Sequence, residues 1–339
     1  MFATAVPGLA LVVRQALADL PGVTADASGF DGRSDLITFV AGRGLDAVNA
    51  LGLTEDVFVE VGRTLRSEGN RAEWIAGRIW RPARVERALS VWANEVRPLK
   101  AAMTFRVIAR VLQEQAFRRT DLRRALTHAV QRDRPRWKVA DPGELEVWIS
   151  EYAAGQFVAG LRLSDIRMRQ HDGRAVERQG ALRPTVANAM VRLAGAPSGM
   201  LLDPCCGSGT ILGEALRLGW KQAAGFDIEP AAVRIAERNV PGAEVHRGDV
   251  RRLGLPDAGV GACVSNLPFG QQFTVEGAMT GWLESALCEM ARVTRPGGKI
   301  VLLAPDVPRE ALPSVLRLRD RLPVRLLGTR TTIWAYDRA

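Results

Sequence analysis

Eight residues, Asp203-Pro204-Cys205-Cys206-Gly207-Ser208-Gly209-Thr210, constrain this chain more than any other stretch. They stand between a short apolar run, Met200–Asp203, and a segment of helical periodicity, Thr210–Leu218. A glycine-rich turn from strand to helix is where open α/β sheets bind ligands, at the carboxyl ends of their strands. The alternation continues downstream. Strands are predicted at Gln222–Asp227, Glu244–His246, Val260–Asn266 and Lys299–Leu303, and helices at Pro230–Asn239, Glu276–Val293 and Arg309–Leu316. Alternating strands and helices predict a parallel, doubly wound sheet. Two last strands, Val324–Leu327 and Thr332–Tyr336, are separated by Gly328-Thr329-Arg330, so one edge of that sheet should be an antiparallel hairpin.

The front half has a different grammar. Phe2–Val6 reads as a strand and Leu9–Leu20 as a helix ended by Pro21-Gly22. Val23–Ala27 and Leu36–Ala41 read as a hairpin, Leu45–Leu51 as a short helix and Val57–Val61 as a strand. That order describes a ferredoxin-like α+β unit over residues 1–65. Residues 66–170 are more helical and more basic, 171–182 are polar enough for a linker, and 183–339 form the α/β part. A chain of 339 residues is long enough for two or three such domains.

The 46 basic against 37 acidic residues leave a net charge of +9. Between Met103 and Lys138 ten cations face three acids, a net of +7, with Phe105, Phe117 and Trp137 interleaved. A solvated helix face explains part of such a run; a surface that tracks phosphates explains its clustering. Arg106, Arg110, Arg118, Arg119, Arg123, Arg124 and Lys138 are the candidate RNA contacts. Other classes are disfavoured. Four cysteines without a C-x-x-C, and three scattered histidines, predict neither a disulfide framework nor a metal site. No stretch approaches the ~18 apolar residues of a membrane span. The first cation is Arg14, which does not suit a secretory signal, so the cytoplasm is the expected location; one catalytic unit per chain makes a monomer sufficient.

The chemistry is in the strand-end residues. A P-loop needs Gly-Lys-Ser/Thr, and no lysine follows here; a dinucleotide fingerprint wants a third glycine where Leu212 stands. Asp203 would repel a pyrophosphate but suits an ammonium or sulfonium, as in S-adenosylmethionine. Asp227 ends the next strand, where a carboxylate can accept both ribose hydroxyls, and Asp249 follows where it can accept from an adenine amine. Each acid alone is equally a strand end or a helix cap; their order makes coincidence a poor account. Then comes Ser265-Asn266-Leu267-Pro268-Phe269-Gly270. The lone pair of an exocyclic amine is delocalised into its base. The Asn266 side-chain carbonyl and the Leu267 backbone carbonyl could accept its two N–H groups, with Phe269 stacked on the extruded base.

With these motifs the second half resembles the class I S-adenosylmethionine-dependent methyltransferases. More narrowly it is similar to the nucleic-acid amino-methyltransferases with an Asn/Asp-Pro-Pro-Tyr/Phe loop, Leu267 replacing the first Pro. It resembles best the RNA guanine-N2 methyltransferases with an N-L-P-Y/F-G loop, and its D-P-C-C-G-S-G-T stretch looks like theirs. The front half is similar to the THUMP domain that accompanies them, through Met103-Thr104-Phe105-Arg106-Val107, Phe117-Arg118-Arg119-Thr120-Asp121-Leu122-Arg123 and Gly160-Leu161-Arg162-Leu163-Ser164, with Leu182-Arg183-Pro184-Thr185 before the catalytic part.

The resemblance implies methylation of guanine N2 in structured RNA, near position 6 of the tRNA acceptor stem. Asp203, Gly207 and Gly209 would line the methionine part of the cofactor, Asp227 would hold the ribose, and Asp249 with Val250 would frame the adenine. Pro204, Cys205, Ser208, Thr210, Ile228 and Asn266 complete the cofactor set, while Asn266, Leu267, Pro268 and Phe269 would hold the target base. Cys205 and Cys206 read as packing residues, since direct transfer to an amine needs no nucleophilic thiol. The rival readings are a ribosomal RNA guanine methyltransferase, a protein glutamine methyltransferase and a non-catalytic RNA-binding protein.

Overall fold

The structure, a computed structural model, describes residues 1–42, 45–112, 116–164, 182–268, 276–326 and 328–339, and for 276–278 the backbone only. The chain divides into two compact units, Met1–Arg169 and Gln170–Ala339.

In the first unit β1 (Phe2–Ala5), the helix Ala10–Ala18, β2 (Val23–Phe30), β3 (Asp35–Ala41), the helix Leu45–Ala50 and β4 (Asp56–Leu65) follow one another. The strands lie in the order β2-β3-β1-β4 with every neighbour antiparallel. This is the ferredoxin-like arrangement expected from the order of elements.

Four more strands extend the sheet: β5 (Thr104–Arg110), β6 (Lys138–Val139), β7 (Leu145–Ala153) and β8 (Gln156–Arg162). The eight-stranded order is β2-β3-β1-β4-β8-β7-β5-β6. Residue 65 therefore lies inside a continuous sheet, because Phe58–Leu65 of β4 runs in register with Arg162–Gln156 of β8. A ten-residue strand leaves a second row of backbone donors and acceptors that must be paired. Residues 66–164 contribute these four strands as well as the helices Ala72–Ile79, Pro82–Glu95 and Arg119–Asp133. The helices bury Ile75, Trp92 and Leu126 against Phe105 and Phe157 of the sheet.

The second unit holds β9 (Met200–Asp203), β10 (Gln222–Asp227), β11 (Glu244–Arg247), β12 (Val260–Asn266), β13 (Thr294–Ala304), β14 (Leu316–Leu326) and β15 (Thr329–Arg338). Their order is β11-β10-β9-β12-β13-β15-β14, parallel from β11 to β13, with β15 antiparallel to both neighbours. Leu201, Leu202 and Ala262-Cys263-Val264 are buried on both faces, as strands between two helical layers must be. The chain leaves β9 toward β10 on one side and later returns to β12 on the other. That reversal opens the crevice at the carboxyl edge.

One expected element is absent. Arg309–Leu316 is not a helix: a single 3-10 turn covers Arg309–Ala311, and β14 starts at Leu316. Pro313 inside that segment cannot donate to a helical ladder and clashes with the preceding turn. The alternation Leu316-Arg317-Leu318-Arg319 then has the period of a strand. No described helix is long and apolar enough to cross a membrane.

Candidate active site

The loop after β9 is shaped by its glycines. Gly207 and Gly209 have φ of +54° and +82°, left-handed values that glycine adopts without steric cost. The turn brings the Gly207 N–H to Asp227 Oδ2 at 2.9 Å, and the Asn239 side chain donates to the Ser208 carbonyl at 3.0 Å. Asp227 also accepts the Glu229 N–H on Oδ1 at 2.9 Å. One carboxylate thus fixes two loops and keeps further lone pairs on each oxygen.

Beside these loops, at the carboxyl edge of the sheet, lies a cavity of about 280 Å³. Pro204, Cys205, Asp227, Ile228, Asp249, Val250, Asn266 and Pro268 line it, so eight of the residues singled out in sequence meet around one space. Glu229, Gly248, Arg251 and Trp282 complete the wall. Sequence reasoning missed these four. Trp282, on the helix Glu276–Val293, had the clearest available signal, an indole following the Asn266 loop.

Asp203, Gly207, Ser208, Gly209 and Thr210 are not on the cavity wall; they build the loop behind it. Asp203 is buried, and burial raises its carboxyl to about 7 even though it accepts Ser265 Oγ–H at 2.8 Å and the Cys205 N–H at 3.2 Å. Ser265, also missed in sequence, ties the β9 motif to the β12 motif. Burial raises the Cys205 and Cys206 thiols as well, the opposite of what a nucleophile needs.

Asp249 is clamped by Arg251, whose Nη2 lies 2.6 Å from Oδ2 and whose backbone N–H donates to Oδ1 at 2.9 Å. The Arg251 guanidinium holds that carboxyl below its ordinary range. Ile228 is exposed into the cavity and Val250 is buried beside it, an apolar pair flanked by two carboxylates. Asn266 closes β12 half-buried, Leu267 is buried in the core, and Pro268 turns back to the cavity. Phe269 lies outside the described residues.

Comparison with known proteins bears on this unit. Residues 171–324 match the UPF0020 family, described as RMKL-like, methyltransferase domain. That stretch, 154 of the 339 residues, is similar to a methyltransferase domain of this type.

Its relatives extend the comparison. A bovine (Bos taurus) U6 snRNA (guanine-N(2))-methyltransferase is 37% identical over 139 residues, covering 38% of this chain and 27% of that protein. A tRNA (guanine(10)-N2)-dimethyltransferase of Methanothermobacter thermautotrophicus is 34% identical over 137 residues, covering 37% of this chain and 39% of that one. The match thus spans well under half of either relative's own length. The crystal structure of TrmN from Thermus thermophilus has the same fold across 100% of this chain and 99% of its own, with a TM-score of 0.78 and 24% identity.

The cationic candidates lie in the first unit, and the structure sorts them into two sets. Arg106 pairs with Asp141 at 2.7 Å and Glu146 at 2.6 Å. Arg110 pairs at 2.5 Å with fully buried Asp31 and lies 4.6 Å from the centre of the Trp148 ring. Arg118, Arg119, Arg123, Arg124 and Lys138 are exposed, the middle three on the helix Arg119–Asp133.

Proposed function

We propose that this chain transfers a methyl group from S-adenosylmethionine to the exocyclic N2 amine of a guanine in structured RNA, with the tRNA acceptor stem near position 6 as the target. The observation that carries this reading is the meeting of Asp227, Asp249 and Asn266 around one cavity at the carboxyl edge of a methyltransferase sheet. The donor set suits the cofactor. Asp227 keeps acceptor capacity for ribose hydroxyls, Ile228 and Val250 offer apolar faces to an adenine, and Asp249 keeps an acceptor for its amine. When bound, S-adenosylmethionine supplies the methyl group as an electrophile.

The chain's own residues do the rest by positioning and polarisation. Asn266 Oδ1 accepts one N–H of the guanine amine and the Leu267 carbonyl the other, which draws the lone pair out of conjugation and turns it toward the donor. Asp203, buried behind the cavity wall with its carboxyl raised to about 7, favours the cofactor's ammonium in its ionised form. The exposed cations of residues 118–138, in the THUMP-like part, bind RNA phosphates. The two relatives above carry names that differ in RNA and nucleotide and agree on guanine N2, which supports the chemistry more closely than the position. One catalytic unit per chain makes a monomer sufficient, and a tRNA substrate suits the cytoplasm.

The test is methylation with labelled cofactor, offering total tRNA, ribosomal RNA and a protein extract, followed by digestion of RNA to nucleosides. Label in N2-methylguanosine from tRNA is the expected outcome. Label in ribosomal RNA alone would replace the substrate, and label in protein would overturn the RNA reading.

A further inference from the structure

The hairpin β14–β15 sets Arg325 directly opposite Arg330. Both are exposed, and neither has an ion pair or hydrogen bond among the described residues. Like charges directly opposite on an antiparallel ladder are destabilising, so the free protein is weakened by this pair unless an anion joins it. Of the carboxylates around the hairpin, Asp320 pairs with Arg319 and Asp337 with Lys299, while Asp306, two residues past the Ala304–Thr332 pair, is exposed and makes no ion pair among the described residues. Arg321 adds a third cation four residues from Arg325, with its guanidinium 4.8 Å from the Trp334 ring centre.

Register places Arg325 and Arg330 on the same edge of the sheet as the active site. Asn266 aligns with Leu303 of β13, Leu303 with Ile333 of β15, and Ile333 with Leu322 of β14. Arg325 and Arg330 stand three residues beyond that row, on the carboxyl side of the sheet where the cavity opens. The lateral offset from β12 is two strand spacings, about 10 Å, for Arg330 and three, about 14 Å, for Arg325. The face is also the right one. Trp334 shares an apolar cluster with Leu283 and Leu287 of the helix Glu276–Val293, the helix that sends Trp282 to the cavity. Arg330 has the parity of Trp334, so side-chain alternation puts the arginines on that helix-covered face.

We propose that Arg321, Arg325 and Arg330 form a phosphate-binding site on the methyltransferase unit itself, gripping the RNA backbone a few nucleotides from the guanine held at Asn266. Guanidinium groups suit this role because their fork matches phosphate oxygens bidentately. The inference rests on the RNA reading above and adds a contact surface that the basic run at 103–138 does not include.

The test combines three measurements on the full chain with Arg330→Glu and with Arg325→Gln/Arg330→Gln: filter binding of total tRNA over a salt series, calorimetric affinity for S-adenosylhomocysteine, and thermal melting. Arg330→Glu should weaken tRNA binding about tenfold or more at low salt. Its melting temperature should hold or rise, since the repulsive pair becomes an ion pair. In the double Gln variant the slope of log K against log salt should flatten by about 1.4–1.8, as two lost phosphate contacts require. Affinity for S-adenosylhomocysteine should stay within twofold, which also shows that the variants are folded. Unchanged tRNA affinity and slope in variants of a wild type that binds tRNA would overturn the hairpin site alone. A wild type that binds S-adenosylhomocysteine but no tRNA would overturn the RNA reading and the hairpin site with it.

Discussion

At Asp203, burial and hydrogen bonding pull in opposite directions, and burial wins: the carboxyl is held near pH 7 despite two donors. Below the unfolded pKa of about 4 the group is protonated in both states. Between about 4 and 7 the folded protein keeps a proton that the unfolded chain releases, so folding stability falls as pH rises through that window and levels above it. Thermal melting from pH 5 to 8 should therefore show a decline that Asp203→Asn removes. Cofactor binding should run the other way. Affinity for S-adenosylhomocysteine should improve about tenfold from pH 6 to 8 in the wild type and stay flat in Asp203→Asn; a flat wild-type profile would remove Asp203 from ammonium recognition. Asn266→Ala should lower single-turnover methylation by about a hundredfold, within the range for loss of one oriented hydrogen-bonding group, while leaving cofactor affinity within twofold. Asp227→Ala should do the reverse, weakening the cofactor roughly 10- to 100-fold, the scale of lost charge-assisted hydrogen bonds. Equal effects of both substitutions on binding and turnover would mean that the two residues do not divide the work.

Each element that carries these residues ends where its function begins. β9, β10 and β12 stop at Asp203, Asp227 and Asn266, and all three boundaries were readable because a buried parallel strand is an apolar run closed by a polar residue. The turn after β9 was readable too, since two glycines in three residues mark a backbone that other residues would strain. Gly209→Ala tests that point. Its φ of +82° disfavours any Cβ, and one built there would lie 3.0 Å from Val240 Cγ2. A loss of about 1–2 kcal/mol is expected, visible as a melting point lower by a few degrees, with partial recovery when Val240→Ala is added. The segment after β13 was misread for a local reason. The apolar spacing of Arg309–Leu316 mimics a helix, and Pro313 vetoes it.

Across the whole molecule, the same residue type serves two ends that only tertiary contacts separate. Arg110 and Arg123 both belong to the basic run, yet Arg110 neutralises a buried aspartate while Arg123 faces solvent. Arg110→Ala should destabilise the first unit by about 2–4 kcal/mol, because it strands Asp31 without its cation, and it should affect tRNA binding only through that loss of stability. Arg123→Ala/Arg124→Ala should leave melting unchanged, weaken tRNA binding several-fold at low salt and flatten its salt dependence. Identical behaviour of the two variants would cancel the distinction. The amino-acid sequence by itself determined the parallel sheet, its ligand-binding edge, the acids at its strand ends and the Asn266 loop. These follow from periodicity, turn chemistry and spacing, which are local in the chain. Tertiary structure alone decided that β4 joins β8 across more than ninety residues, that Ser265 locks Asp203, that Arg251 and Trp282 close the cavity, and that Arg325 faces Arg330. The physical reason is the same in each case: pairing partners, burial and the charges that face one another depend on which distant segments the fold brings together.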